Sequence, residues 1–471
     1  MPSLDLLTFV ALVGLLAAVG WRRSATAADF TVASRDLALF PLVATLVMTE
    51  FNTSTLLAFA ATGYSAGPMA LALPAVFLVG LTFYTVTVAR AWKQFDRLSV
   101  AELFSVRYSR SVGRVASALL LLAMTGFTAT YVKSLTLLFV PLVPLSIPTP
   151  ALSALLTLVV VLAVLPGGLV SIVRADMVAF VATLVLFPLL LWFGIQQSDA
   201  LGGVASVFPA DQLTVSPLQQ WNHPALPTRF VVTLMMITCF TYIAAPWYGQ
   251  KIFAARSAAV AFRAVAISAV LVFVLYGAVV LAAAHLRVTH PALPDPQLAV
   301  PTMVLAWLPA GLRGLAYAVL FGAALTTLAG VWSAMATMVT ADFAGDVWLR
   351  VRTQRVLLLA FALLSWLGAT LLVDRILDRL ILANIPVLAL SFALLAGFHW
   401  RGATTAGAWA SMLVGVVWGV GCFVVVGEAG GYTWPWAMYG IPLIFGTGII
   451  TSLVTRKADD RTTDVRAVIV R

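Results

Sequence analysis

The sequence predicts an all-α polytopic membrane protein with thirteen transmembrane helices. Three observations carry this: apolar segments of spanning length recur along the whole chain, basic residues alternate with them, and polar clusters interrupt a few otherwise apolar spans. Hydrophobic residues make up 62% and charged residues 10% of the 471, with a mean hydropathy of +1.03. A soluble protein carries roughly 25% charged residues, so water is not the only solvent of this chain. A hydrocarbon core of about 30 Å needs roughly 20 apolar residues per helix. Spans are expected near 5–21, 38–64, 68–92, 113–142, 151–165, 169–195, 229–250, 259–285, 312–340, 354–374, 378–399, 404–427 and 435–455.

Lys and Arg set the expected orientation. With the N-terminus outside, 21 basic residues fall in cytoplasmic segments (Lys251 among them) and five, Arg229, Arg287, Arg313, Arg375 and Arg379, fall outside. The expectation is therefore an inner-membrane protein of a bacterium, multi-pass, with a periplasmic N-terminus and a cytoplasmic C-terminus. The net charge of +10 is spread between spans and forms no patch for nucleic acid. Cys239 and Cys422 lie inside spans and read as packing residues, and four scattered histidines show no metal-ligand spacing. The first apolar stretch has no basic residues before it and ends at Trp21-Arg22-Arg23, which reads as a retained helix rather than a signal peptide. No span pairs a nucleophile with a base, so an enzyme is not expected.

The second span holds the densest polar cluster. Six of the seven residues from Thr49 to Thr55 are polar, in mid-span. A charge such as Glu50 costs on the order of 3 kcal/mol inside a membrane, so the cluster must face protein or a water-filled cavity. Ser, Thr and Asn bond their own backbone and favour an unwound stretch, whose freed carbonyls can ligate a cation. The rival reading is a polar helix–helix seam, which fits the serines and threonines but not Glu50. After the third span, Lys93–Phe104 mixes basic and apolar residues and reads as an amphipathic helix on the inner leaflet. Lys133 and Tyr131 sit in the outer half of the fourth helix; Lys133 either counters Glu50, meets an anionic solute, or snorkels outward. Asp176 opens the sixth helix and either pairs with Arg174 at the inner interface or acts in gating.

The loop 196–228 has room for a short surface helix and shows no catalytic constellation. In the seventh span, Pro246 frees a carbonyl and invites a kink. Trp247 and Tyr248 fit an interfacial belt, whereas Tyr242 lies deeper and is the better ligand candidate. The ninth span carries Thr326-Thr327 among small residues, which fits either close helix packing or an oxygen cage for a small cation. Interruptions five helices apart point to an inverted repeat. The expected units are 1–37 (an extra helix and link), 38–195 and 229–399 (two five-helix repeats flanking the loop), 400–455 (two last helices) and 456–471 (a tail).

These residues resemble the sodium:solute symporter family from about residue 28 to 420. Asp29-Phe30 through Ser34-Arg35, Gly167-Gly168-Leu169 through Asp176, Gln250-Lys251 through Arg256-Ser257, Ala323 through Thr327 with Thr340-Ala341-Asp342, and Trp400-Arg401 to Gly407-Ala408 resemble family segments, in the family's order. The resemblance implies a LeuT-type 5+5 fold with one extra N-terminal helix. It implies a sodium site from the carbonyls of Met48, Phe51 and Ala323 and the hydroxyls of Thr326 and Thr327. Asn52, Ser54, Tyr131, Tyr242 and Glu50 are then the substrate-binding candidates, and Asp176, Lys133 and Pro246 the gating or coupling ones. Some members bind a second sodium through a hydroxyl at the position of Ala323 and the acid at that of Asp176; Ala323 lacks that hydroxyl, which implies one sodium per cycle. Ala329-Gly330 stands where many members have an acid and a serine. The implied activity is sodium-coupled import of a small polar organic solute, an amino acid or organic acid, by alternating access. Sodium is the coupling ion, no cofactor is implied, and the working unit is a monomer in the bilayer. A proton-coupled carrier of the same fold, using Glu50 or Asp176, and a membrane sensor are the alternatives.

Overall fold

The computed structural model describes residues 3–20, 35–144, 146–165, 168–215, 221–344 and 351–456. The Asp29–Ser34 part of the first family segment and Gly167 lie outside them. Helix α1 (Ser3–Gly20) packs along the ninth span, where the buried Asp5 carboxylate accepts the Gly311 N–H at 2.6 Å and Thr8 donates to the Gly311 carbonyl at 2.8 Å. The second span is two helices, α2 (Leu39–Glu50) and α3 (Thr53–Ala66). The break is local chemistry: Asn52 takes an extended backbone and its side chain accepts the Thr55 N–H at 2.9 Å, an N-cap that starts a new helix in mid-membrane.

After a 3₁₀ turn, Gly67–Leu71, comes α4 (Ala72–Thr87). Residues 53–87 form an unbroken helical run of spanning composition, yet it is not one rod. Phe59 and Phe77 would lie about 27 Å apart along a straight helix, and their rings meet at 5.7 Å. The chain therefore reverses at Gly67, whose φ of +66° suits glycine.

Next are α5 (Ala89–Phe95) and α6 (Glu102–Arg107). The expected leaflet-bound helix is not found here. Val100, Leu103, Phe104 and Arg107 are buried in the protein, and the Arg107 guanidinium donates to the carbonyls of Trp400, Arg401 and Ala403. A guanidinium with several carbonyls to bond is satisfied without lipid headgroups. Helices α7 (Arg110–Phe139), α8 (Thr149–Val164) and α9 (Gly168–Gln197) complete the first half, and α10 (Ala200–Val207) is the short helix expected in the long loop.

The seventh span is also divided, into α11 (Thr228–Tyr242) and α12 (Pro246–Phe253), bent by 47°. Pro246 holds the first helical position of α12 and keeps Ala245 extended. Then follow α13 (Ala258–Thr289), α14 (Ala299–Trp307), α15 (Leu312–Met338, closing in a π-turn) and α16 (Val351–Leu371). A further bent span, unexpected from sequence, joins α17 (Ile376–Leu382) and α18 (Ile385–Leu388) to α19 (Ser391–His399) at 46°. Helices α20 (Thr405–Val426) and α21 (Thr433–Thr455) pack on each other. Among the described residues, eight helical runs are long and apolar enough to cross a membrane, or ten when each bent pair is one span. Helices α2, α3, α12, α13 and α15 each carry buried polar residues, among them Thr45, Glu50, Ser54, Lys251, Ser268, Thr326 and Thr327.

Candidate functional site

The break between α2 and α3 leaves backbone groups that other helices satisfy. Thr327 of α15 donates to the Met48 carbonyl at 3.1 Å, and Thr326 donates to the Ala323 carbonyl at 3.4 Å. Both threonines are buried. Thr327 thus ties Met48 to α15 across two helices, while the adjacent Thr326 bonds Ala323 within α15; hydroxyls and carbonyls are the oxygen types a small hard cation takes. Phe51 stands in the break itself, its ring against Phe187 and Tyr276. Tyr276 of α13 donates to the Glu50 carbonyl at 2.6 Å, which also accepts from the Asn52 side chain at 3.0 Å.

Glu50 is 1% exposed, and its carboxylate accepts the Tyr242 hydroxyl at 2.5 Å, which ties the second span to the seventh. Its other oxygen has no partner among the described residues. Asp176 is fully buried, so the interface pairing with Arg174 is corrected. Its partners are the Thr45 hydroxyl at 2.5 Å and the Lys251 ammonium at 3.3 Å. Lys251 also donates to the Thr45 carbonyl at 2.9 Å and to the Thr49 hydroxyl. Lys251 was expected in a cytoplasmic segment; it is 2% exposed on α12 and points at α2.

A cavity of about 60 Å³ lies beside both breaks, lined by Asn52, Thr55, Tyr131, Thr238, Thr241, Tyr242, Trp247 and Asn384 together with apolar residues. Asn52, Tyr131 and Tyr242 therefore line one cavity, and among the described residues no charged side chain lines it. Ser54 is elsewhere: its hydroxyl pairs with Ser134 at 3.1 Å and Thr130 at 3.3 Å on α7, beside a Thr53–Ser134 bond at 2.8 Å. That half of the cluster is a polar seam. Lys133 is half-buried and makes no bond to Glu50. The belt reading of Trp247 and Tyr248 is corrected: both are buried, with Trp247 edge-on to Phe127 and Tyr248 edge-on to Tyr84. The break upstream of Pro246 needs no bilayer interface, because its free Ile243 carbonyl accepts the Trp92 indole N–H at 2.9 Å.

Sequence reasoning missed Lys251 and Asn384. A signal for the first was present: a buried Asp176 demands a partner, and Lys251 is the one cation in the apolar helix after Pro246.

The sodium:solute symporter family model matches residues 30–415. No curated protein matches the sequence. Among solved structures, a Na⁺-coupled sialic acid symporter in a substrate-bound outward-open state is similar over 96% of this chain and 98% of its own, at 17% identity and TM-score 0.78. A manganese transporter of Eremococcus coleocola, in complex with an aromatic bis-isothiourea compound, is similar over 89% and 95%, at 14% identity and TM-score 0.55. Both are likenesses of fold. With four-fifths of its length under the family model, the chain is a membrane transporter rather than an enzyme, and it belongs to the sodium:solute symporter family.

Proposed function

We propose that the chain imports a small polar organic solute together with sodium by alternating access. The observation that carries this is the Thr327 hydroxyl on the Met48 carbonyl at the helix break. Sodium would replace that hydrogen bond with coordination by Met48, Phe51 and Ala323 carbonyls and the Thr326 and Thr327 hydroxyls, tying α2 to α15. An ion that binds one conformation better shifts the population by that difference alone. When the two helices part, the oxygens separate and sodium leaves.

The cavity holds a few waters at about 60 Å³, whereas ligand pockets run to roughly 300–1,000 Å³. Substrate entry therefore requires the helices around it to move apart. Asn52, Tyr131 and Tyr242 would then meet the solute, and the N-terminal N–H groups of α3 favour a carboxylate. This supports an amino acid or organic acid without a lysine in the wall; Lys133 adds nothing. Glu50 holds Tyr242 in place, and Pro246 sets the bend beside the cavity.

The same reading takes the second span as α2 with α3 and the third as α4, which gives thirteen crossings, the first five-helix repeat within 38–195 and its inverted partner within 229–399. The positive-inside distribution supports an N-terminus outside and a C-terminus inside a bacterial inner membrane. Uptake measured against sodium concentration tests the proposal. Replacing Thr326 or Thr327 with Ala raises the sodium needed for half-maximal uptake; an unchanged sodium dependence in both variants overturns it.

A further inference from the structure

We propose that the groove between α1, α9 and α15 holds one anionic phospholipid, with its phosphate on Arg174 and an acyl chain along the apolar wall. This is a second binding site, apart from the central cavity, and it does not depend on the sodium reading above.

Arg174 is the charge that the buried ion pair leaves over. The nearby acid, Asp176, is committed to Thr45 and Lys251. Arg174 makes no hydrogen bond or ion pair among the described residues. Two other arginines before the spans have acids of their own: Arg35 pairs with Asp96 and Arg256 with Asp36. Arg174 stands half-buried near the start of α9, where an arginine lays its stem on apolar surface and keeps its head at the headgroup level. A guanidinium meets a phosphate through two parallel N–H donors. A zwitterionic headgroup brings its own ammonium to that phosphate, whereas an anionic one leaves a net charge for the arginine to neutralise.

The groove beside this arginine has a volume of about 640 Å³. Its wall follows α9 from Arg174 to Leu189, about 22 Å along the helix axis. One leaflet is half of a hydrocarbon core of about 30 Å, so the groove has the length of an acyl chain. Among the described residues, Arg174 is the one polar side chain on that wall. A polar solute would lose its hydrogen bonds there; a hydrocarbon chain has none to lose. The rim is open to lipid, with Phe40 54%, Val181 52% and Val185 63% exposed. Ala182 and Ala316 add little bulk and leave the groove its depth. An apolar channel headed by one uncommitted cation matches the two ends of an anionic lipid. With the orientation proposed above, that lipid belongs to the inner leaflet.

Native mass spectrometry of the purified protein tests this, after release from micelles holding equal amounts of phosphatidylglycerol and phosphatidylethanolamine with the same acyl chains. The wild type should retain one phosphatidylglycerol in preference to phosphatidylethanolamine. Arg174→Gln should lower that preference about fivefold, and Arg174→Lys should keep most of it. Arg110→Gln, which removes an exposed arginine at the start of α7, should leave it unchanged. Ala182→Phe, which fills the groove, should lose the retained lipid whatever its headgroup. A wild type that retains both lipids equally, a wild type that carries a second copy of the chain in place of lipid, or an Arg174→Gln protein with the wild-type preference overturns the proposal. The wild-type and arginine results decide it even if Ala182→Phe does not fold. Failure here leaves the sodium dependence of uptake, and the reading built on it, untouched.

Discussion

The two helix breaks at the centre solve the same problem in different ways. Breaking a helix in a membrane frees carbonyls that must find donors. At the second span the donors are hydroxyls: Thr327 on Met48 and Tyr276 on Glu50. At the seventh span the donor is an indole, Trp92 on Ile243, and proline fixes the geometry. A hydroxyl can turn its lone pairs to an ion; an indole N–H can only donate. The first break is therefore exchangeable and the second is stapled. The second carries a cation as a side chain, Lys251 of α12.

The sharpest way to break this contrast is to remove one member of the stapled side's ion pair. Asp176→Ala leaves the Lys251 ammonium buried and uncompensated, at a cost of about 3–5 kcal/mol. Thermal unfolding in detergent should show the loss, and adding Lys251→Met should recover most of it. A single variant as stable as the wild type would mean the pair is hydrated rather than buried. Next, Glu50→Gln disturbs the buried bond from Tyr242, at about 1–3 kcal/mol where a buried partner is left unsatisfied, and should cut uptake far more than Glu102→Gln; equal effects would remove Glu50 from the site. Trp92→Phe strips the Ile243 carbonyl of its donor, at about 1–3 kcal/mol, and should lower stability while leaving the sodium dependence of uptake unchanged. A sodium shift there would show that the second break is not a passive staple. The smallest effect belongs to Ser54→Ala, about 0.6 kcal/mol for an interhelical hydroxyl, with unchanged substrate affinity. A large loss of affinity would return Ser54 to the binding site.

Much of this was legible in the sequence because membrane burial is severe. Glu50 in mid-span had to face protein, and the polar run around it had to disturb the helix; the break falls at Phe51-Asn52, inside that run. What the pattern did not separate was the two faces of the run. Thr53 and Ser54 turn to α7 and Asn52 to the cavity, a choice made by helix rotation and neighbouring side chains. Lys251 was hidden by a rule that works elsewhere: basic residues near span ends are counted as cytoplasmic, and only Asp176, 75 positions away in sequence, reveals that this one is inside. The buried Arg107 misled in the same way, because its carbonyl partners at residues 400–403 lie far along the chain. The bend between α18 and α19 carries no polar cluster to announce it.

Sodium-dependent stabilisation of the purified protein tests the exchangeable break most directly, by comparing melting in sodium chloride with melting in choline chloride at equal ionic strength. The account predicts that sodium raises the Tm of the wild type and of Thr327→Ser, and leaves that of Thr327→Ala unmoved. A sodium-induced rise of the same size in Thr327→Ala would contradict it.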